Sequence, residues 1–424
     1  MPNLHLYSAI QLSLLGLLSG CATQAPQVEA PAKTVTIASS LGSEPQAQLE
    51  AAIAPFEEET GIDVVYEFVD DIANGLIARV DAGNAPDMAL LPQPTLIKTF
   101  ADADAIAPLS TFLEATDLNK AYADTWLDLA TVDDEIYAVW YRASVKSLVW
   151  YNPATFERQG YDIPRTWEQL IALSDQIVAD GGTPWCLGLE SGPATGWPGT
   201  DWIEDLILRT SGPEAYRQWI NHQITFQSEP VLQAFNTFQN VVLKDGYVKG
   251  GAASTATIPF REAADPLFQD PPGCYLHKQG NFIAAFFPPE VEARIDVDVF
   301  PLPAIDERFG TPLLVAGDAF VMFNDTPEAR QLMEYFTTPA PHEAWAALGG
   351  FISPHQDVSL EAYPDLVSQK VAQILSDAEV IRFDGSDVMP SSVGAGTFWT
   401  GMVDFTQGQS AEEVTKAIDD SWPE

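Results

Sequence analysis

Residues 34–91 read TVTIASSLGSEPQAQLEAAIAPFEEETGIDVVYEFVDDIANGLIARVDAGNAPDMALL, and the succession of patterns within them decides the fold class. Residues 34–37 and 62–69 are rich in β-branched and aromatic residues, which favour strands. Residues 87–91 form a short apolar run at the end of the stretch, as expected of a buried strand. The stretch therefore contains three predicted strands.

Two apolar stripes at helical spacing separate these strands. The first covers residues 49–56 and ends at Gly61, and Pro55 within it is expected to bend or divide the helix. The second covers residues 72–80. Strand, helix, strand, helix, strand is the beginning of an α/β domain with a parallel-type sheet. Ligands of such sheets lie beyond the carboxyl ends of the strands, so the turns there are the first candidates for a binding site.

The middle of the chain is mainly helical, and strand patterns return later. About 390 residues follow the first 33, more than one hydrophobic core usually holds, so we expect two domains in contact. The returning strands indicate that the chain crosses back to the first domain, which makes both domains discontinuous and the crossings natural hinges. The predicted helices are 167–180, 201–210, 214–221 and 230–243, and the predicted returning strands are 297–300 and 313–323.

The N-terminus has the features of a lipoprotein export signal. Residues 12–18 form an apolar run that is too short to span a bilayer, and small residues follow it before Cys21. No Lys or Arg precedes this run. Residues 22–33 consist mainly of Ala, Gln, Pro and Val and are typical of a tether. We therefore predict a signal peptide at 1–20 and a tether at 21–33 that is anchored by lipid on Cys21.

The chain contains three cysteines. If Cys21 carries lipid, Cys186 and Cys274 remain as a pair in an oxidising compartment, where a disulfide between them is expected. Two separate buried thiols are the alternative. A zinc site is not expected with so few Cys and His residues.

The formal net charge is −40, from 60 acidic and 20 basic residues. This balance makes nucleic acid and anionic membrane surfaces poor partners, and it repels acidic substrates at long range. A solvated acidic surface suited to salty surroundings explains the charge without a specific function.

Several motifs resemble those of extracellular solute-binding proteins of the sugar-binding family, and some of them resemble its α-glucoside-binding subgroup. Their order and spacing carry the resemblance, which covers most of the chain from Thr34 onward. The family motifs are FEEETGIDV at 56–64 and AGNAPD at 82–87, and those of the subgroup are YRASVKSLVWYN at 141–152, PRTW at 164–167 and GWPGTDW at 196–202.

The resemblance implies an α/β, two-lobed periplasmic-binding-protein-like fold that closes on its ligand about a hinge. It implies a receptor without catalytic activity or cofactor, which delivers a small neutral sugar or glucoside to ABC permease subunits, and a matched pair of Cys186 and Cys274 in the second lobe. We expect a monomer. The expected lobes are 34–143 plus 300–345 for the N-terminal lobe and 144–299 plus 346–424 for the C-terminal lobe.

A neutral sugar presents apolar C–H faces, which pack on aromatic rings, and hydroxyls, which need donors and acceptors. Trp197, Asp201, Trp202 and Asp205 form the densest group of residues that answers both needs. Alternatives remain open for two of these residues. A helix cap is the alternative for Asp201, and a place in the core is the alternative for Trp202.

Other candidates gain support from the resemblance. Glu44 is expected in the loop after the first strand. Asp87 heads a buried strand, where turn stabilisation is the alternative. Arg142 offers a fork of donors for two hydroxyls or for neighbouring carboxylates. Asp318 interrupts a returning strand, and Trp399 is expected on a flexible turn.

Phe287 and Lys278 are weaker candidates, since an apolar strand and a solvated tip would explain them. The predicted ligand is a small α-glucoside such as maltose, trehalose or sucrose, or a glucosylated compatible solute such as glucosylglycerol. A secreted glycoside hydrolase or lyase, or a lectin-like surface protein with a rigid site, are the rival interpretations.

Overall fold

The computed structural model describes residues 33–423. The predicted signal peptide, the lipidation of Cys21 and all but the last residue of the predicted tether lie outside this range. None of the helices within it is long and apolar enough to cross a bilayer.

Twelve strands form two larger sheets and one small hairpin in the described part of the chain. They are β1 Lys33–Ser39, β2 Ile62–Phe68, β3 Met88–Leu91, β4 Thr131–Val132, β5 Glu135–Ile136, β6 Ala138–Val145, β7 Leu148–Tyr151, β8 Trp185–Cys186, β9 Leu276–Lys278, β10 Asp298–Pro301, β11 Leu313–Met322 and β12 Ile381–Phe383.

Sixteen α-helices surround these sheets between residues 33 and 423. They are α1 Ser43–Thr60, α2 Ile72–Asp81, α3 Pro94–Asp102, α4 Ala115–Ala121, α5 Asp124–Leu129, α6 Pro153–Gln159, α7 Trp167–Ala179, α8 Trp197–Thr210, α9 Gly212–Ile220, α10 Glu229–Thr237, α11 Pro327–Phe336, α12 Pro339–Ala346, α13 Leu366–Ser376, α14 Gly385–Val388, α15 Trp399–Thr406 and α16 Ala411–Asp419.

The first sheet has six strands, five of them in the order β12-β11-β3-β1-β2, and the sixth, β6, also pairs with β11. β1 pairs in parallel with β2 and β3, whereas β11 runs antiparallel to β3 and β6. The predicted alternation of strands and helices at the start of the chain is confirmed. The opening strands pair in parallel, and the returning strand β11 completes the sheet, antiparallel to β3 and β6 and parallel to β12.

The first helix follows from its sequence. Its apolar stripe is buried, and the helix ends where Gly61 adopts a left-handed backbone with φ 67°. Pro55 lies inside α1, yet the helix runs unbroken to Thr60, so the expected division is wrong.

The second sheet has four strands in the order β10-β7-β9-β8. A disulfide joins Cys186, the last residue of β8, to Cys274 just before β9, with 5.5 Å between their Cα atoms. The predicted bridge is present in the structure, and separate thiols are excluded. Helices α7, α8 and α10 contribute buried side chains to the core beside this sheet.

The chain passes between the two halves of the fold three times. It crosses from the first sheet to the second after β6 and returns between β10 and β11. After β12 it leads to helices α15 and α16, whose buried side chains belong to the core beside the second sheet. These passages confirm the expected discontinuous architecture with several crossings. The lobe boundaries stay a prediction, and β12 bears on them, because Ile381–Phe383 lies in the range predicted for the C-terminal lobe but pairs with β11 of the first sheet.

Candidate functional site

Helix α8 begins at Trp197, in close contact with the start of α15. Gly196 precedes it with φ 118°, and a Cβ atom at this position would lie 2.0 Å from the carbonyl oxygen of Trp399. Only glycine allows this close approach. The contact brings Trp197 and Trp399 together from distant parts of the sequence, and both side chains are half-buried.

The position of Asp201 follows from the start of α8. The predicted helix began at Asp201, whereas the observed one begins four residues earlier, so Asp201 lies one turn inside it. The helix-capping interpretation of Asp201 is therefore wrong. Its carboxylate instead accepts a hydrogen bond from the Lys146 ammonium, with 2.9 Å between Oδ1 and Nζ.

Lys146 lies on the segment between β6 and β7. Its ammonium also donates to Oδ2 of Asp384, which directly follows β12, and lies 5.2 Å from the ring centre of Trp197. We call Lys146, Trp197, Asp201 and Asp384 the Lys146 cluster. Neither Lys146 nor Asp384 is among the residues predicted from the sequence. No local pattern identifies them, because Lys146 meets Asp201 and Asp384 across sequence separations of 55 and 238 residues.

Burial and the Lys146 charge have opposite effects on the pKa values of the two carboxyls in this cluster. Burial raises the pKa of Asp201 to about 6, although the neighbouring Lys146 ammonium opposes the rise. Burial also acts to raise the pKa of Asp384, but the charge and hydrogen bond of Lys146 outweigh it and hold that pKa below its usual value. Near neutral pH both carboxylates are therefore anionic, as acceptors of ligand hydroxyls must be.

Two more carboxyls surround the cluster. Burial and the negative charge of Asp384 raise the pKa of Glu204 and of Asp387 well above their usual values. Glu204 accepts hydrogen bonds from Tyr216 Oη and from the backbone of Gly385. Asp387 accepts one from Gln93 Nε2 at 3.3 Å. Gln93 lies two residues beyond β3, at the edge where ligands of such sheets bind.

Asp205 belongs to a separate, fully buried ionic network. Its carboxylate pairs with Arg209 at 2.5 Å and with Lys278 at 2.8 Å, and accepts a hydrogen bond from Ser147 at 2.6 Å. Lys278 is buried in β9 and also donates to the carbonyl oxygen of Asp201. The expectation of a solvated tip for Lys278 is wrong, because Asp205 provides its counter-charge inside the protein.

Trp202 packs edge-on against Trp185, with 5.1 Å between ring centres, and is 1% exposed. The structure thus gives Trp202 the core role that the sequence left open.

Arg142 and Asp318 face each other across β6 and β11. Arg142 Nε donates to Asp318 Oδ2 at 2.6 Å, and the guanidinium lies 5.9 Å from the ring centre of Trp345. Arg142 thus binds a neighbouring carboxylate, which is one of the two roles predicted for it. Trp345, which the sequence analysis did not identify, donates its indole N–H to Gln48 on α1.

Glu44 is exposed in the first turn of α1, one turn before Gln48. The expected loop position is wrong because α1 already begins at Ser43. A carboxylate there is favoured by the helix dipole.

Asp87 lies at the amino end of β3. Its Oδ2 accepts hydrogen bonds from the Thr36 amide and hydroxyl, both at 2.9 Å, and its Oδ1 accepts one from Asn324 at 3.1 Å. These bonds connect the start of β3 to β1 and to the residue Asn324 after β11. This is the structural role that the turn-stabilising alternative gave to Asp87. Ligand contact by Asp87 stays a prediction.

The secondary structure around Trp399 and Phe287 differs from the prediction. Residues 393–398 form a π-helical turn that leads into α15, so the flexible turn expected around Trp399 is wrong. The Trp399 indole N–H is buried and has no hydrogen-bond partner within residues 33–423. Phe287 follows a 3₁₀ turn instead of lying on a strand, and it lines a cavity of about 260 Å³ beside Trp150.

The site thus combines aromatic faces with the anionic carboxylates of Asp201 and Asp384, both of which pair with the buried Lys146 ammonium. Between residues 33 and 423, no group of three or more His, Cys, Asp or Glu side chains could hold a metal ion. Such an arrangement suits a neutral polyhydroxy compound, because rings cover its C–H faces and carboxylates accept its hydroxyls.

Comparison with known proteins points in the same direction. Residues 40–343 match the family described as bacterial extracellular solute-binding protein. The chain is 51% identical over 407 residues to the osmoprotective compounds-binding protein GgtB of Synechocystis sp., and the match covers 96% of each chain. It is 40% identical over 398 residues to the alpha-glucosides-binding periplasmic protein AglE of Rhizobium meliloti, covering 92% of this chain and 87% of that relative.

Solved structures share the fold. The bacterial solute receptor AcbH matches with a TM-score of 0.78 at 19% identity, covering 92% of this chain and 98% of that one. RafE in complex with raffinose matches with a TM-score of 0.73 at 18% identity, with the same coverage.

Proposed function

Because the chain belongs to the family of bacterial extracellular solute-binding proteins, we propose that it is the receptor of an ABC importer for a small glucoside. It captures a small α-glucoside, such as maltose, trehalose or sucrose, or a glucosylated compatible solute such as glucosylglycerol. The ligand lies between two lobes that close about the crossings, and the closed receptor delivers it to the permease. It releases the solute chemically unchanged.

The observation that carries this proposal is the 51% identity to an osmoprotective compounds-binding protein across 96% of both chains. The second relative, at 40% identity, is named for α-glucosides. A glucosylated compatible solute is both an osmoprotective compound and a glucoside, so it fits the names of both relatives. The net charge of −40 agrees with a protein that works in salt, where counter-ions screen its self-repulsion.

The chemistry of the Lys146 cluster supports a neutral ligand. Its aromatic ring, Trp197, offers a face to the C–H side of a sugar, and the carboxylate of Asp201 offers an acceptor to hydroxyls. An anionic ligand would meet the buried carboxylates Asp201 and Asp384 and would be repelled.

We further propose the surroundings in which the receptor works. The exported protein is a monomer that lipid on Cys21 anchors in a periplasmic or other extracytoplasmic space. Its lobes are 34–143 plus 300–345 and 144–299 plus 346–424, and its partners are the permease subunits.

Calorimetric titration tests the proposal. The purified chain is titrated in salt-containing buffer with glucose, maltose, trehalose, sucrose and glucosylglycerol, and the recovered sugars are then analysed for conversion. Saturable binding of at least one glucoside without conversion is expected. Conversion of a bound saccharide would make the protein a hydrolase, and no binding across the panel would refute the proposed ligand class.

A further inference from the structure

The Lys146 cluster lies where the chain crosses between the two sheets. Lys146 directly follows β6, and its backbone N–H donates to the carbonyl oxygen of Leu314. Asp384 directly follows β12, and its N–H donates to the carbonyl oxygen of Val315. The first and third crossings thus form backbone hydrogen bonds to adjacent residues of β11. The Lys146 side chain connects the two crossings through its hydrogen bond to Asp384.

We propose that Lys146 is the positioning residue of the ligand site, which orients the Asp201 carboxylate and the Trp197 ring from the crossing segment. The inference rests on the proposed function and goes beyond it by naming the group that sets the geometry of the site. Lys146 itself need not touch the solute.

The hydrogen bonds of Asp201 support this role. Its Oδ1 accepts from the Lys146 ammonium at 2.9 Å, and its Oδ2 makes no hydrogen bond within residues 33–423. One oxygen is therefore held while the other remains available for a ligand hydroxyl. A carboxylate fixed in this way loses little freedom when the ligand binds.

The Lys146 side chain is itself held in place, because it is buried among its partners. Its side chain is 8% exposed, and an ammonium at such depth is tolerated only with close counter-charges. Asp201 and Asp384 provide them, and the Trp197 ring covers the ammonium at 5.2 Å. A flexible surface lysine could not hold two groups of a site in place. The Lys146 side chain, which starts from the first crossing, is therefore held by Asp384 on the third crossing and by Asp201 and Trp197 on α8.

Several charged groups face Asp201. Lys146 and Lys278 lower the pKa of Asp201, whereas burial and the charge of Asp384 raise it, with a net value of about 6. The carboxyls of Glu204 and Asp387 lie within electrostatic reach of Asp201. Removing one partner should therefore move the titration of Asp201 in a direction that depends on which partner is lost.

Three variants test the inference. Lys146→Met removes the ammonium and keeps most of the side-chain length. Asp384→Asn removes the competing carboxylate and keeps its shape. Lys244→Met is the matched control, because Lys244 is an exposed lysine that pairs with Asp175. Asp201 is titrated in the ligand-free proteins through its carboxyl carbon by NMR, and Kd for glucosylglycerol is measured between about pH 5 and pH 8.

Lys146→Met should raise the titration midpoint of Asp201 above that of the parent protein, and Asp384→Asn should lower it. Lys146→Met should also weaken binding by about tenfold or more at neutral pH, with the loss extending to higher pH than in the parent. Lys244→Met should leave both quantities unchanged. If Lys146 only stabilised the fold, Lys146→Met would lower Tm while the Kd of the folded protein stayed at the parent value.

Unchanged midpoints in both Lys146→Met and Asp384→Asn would overturn the inference. If Lys146→Met fails to fold, Lys146→Gln, which removes the charge and keeps a hydrogen-bond donor, decides through the same Asp201 midpoint and Kd. The titrations need no ligand. Failure of the parent protein to bind any solute would therefore refute the proposed function without being mistaken for a failure of this inference.

Discussion

Replacing Asp205 with Asn tests how far a single carboxylate stabilises the core of the second sheet. Asp205 is fully buried and neutralises both Arg209 and Lys278, and it accepts a hydrogen bond from Ser147. Asparagine keeps the shape and removes the charge. Two buried cations then lose their counter-charge.

The expected cost follows from this environment. Removing one partner of a buried ion pair costs about 3–5 kcal/mol, because the remaining charge stays desolvated. At an unfolding entropy of about 2.1 cal/mol/K per residue, a chain of roughly 390 folded residues has about 0.8 kcal/mol/K. Dividing the first number by the second predicts a fall in Tm of about 4–6 °C for Asp205→Asn.

Thermal unfolding followed by circular dichroism near neutral pH measures this fall. The matched control is Asp117→Asn, because Asp117 forms an exposed pair with Lys120 and should change Tm by less than about 1 °C. Equal Tm values for the two variants would refute the argument, since they would mean that the buried network contributes no more than a surface pair.

Three further predictions follow from the site, the disulfide and a buried histidine. Asp201→Ala and Trp399→Ala should each weaken glucoside binding by about tenfold or more in calorimetry, and unchanged affinity in both would contradict the proposed site. Replacing Cys186 and Cys274 together with Ala should cost about 4–5 kcal/mol in urea unfolding, since the bridge spans a sequence separation of 88; an unchanged midpoint would contradict this. Burial lowers the pKa of His342 to about 3, so its contribution to stability is complete above its usual pKa of 6.5 and is lost as pH falls toward 3. His342→Gln should therefore lose less stability than the parent between pH 6.5 and pH 4, by roughly 3 kcal/mol, and parallel pH profiles of Tm would contradict the argument.

The opening of the fold could be predicted because its signals are local. The stripe of α1, the stop at Gly61 and the three strands each follow from residues within one turn or one strand of each other. The effect of Pro55 could not be predicted, because the pattern does not show whether the helix tolerates it.

Long-range packing explains what the sequence missed. The start of α8 depends on the approach of Gly196 to Trp399, which lies about 200 residues away in the chain. Lys146 joins Asp201 and Asp384 across sequence separations of 55 and 238 residues. No local pattern distinguishes such a lysine from a solvated one. Trp197 and Asp201 could be predicted from the sequence, whereas Lys146 and its second carboxylate partner, Asp384, could not.

Small-angle X-ray scattering with and without solute is the most direct test of the central claim that this protein is a transport receptor which closes on a glucoside. The chain is measured in salt-containing buffer alone and with saturating glucosylglycerol, trehalose, sucrose or maltose. The account predicts that at least one of these solutes reduces the radius of gyration while the molecular mass stays that of a monomer. An unchanged radius with every solute would contradict it.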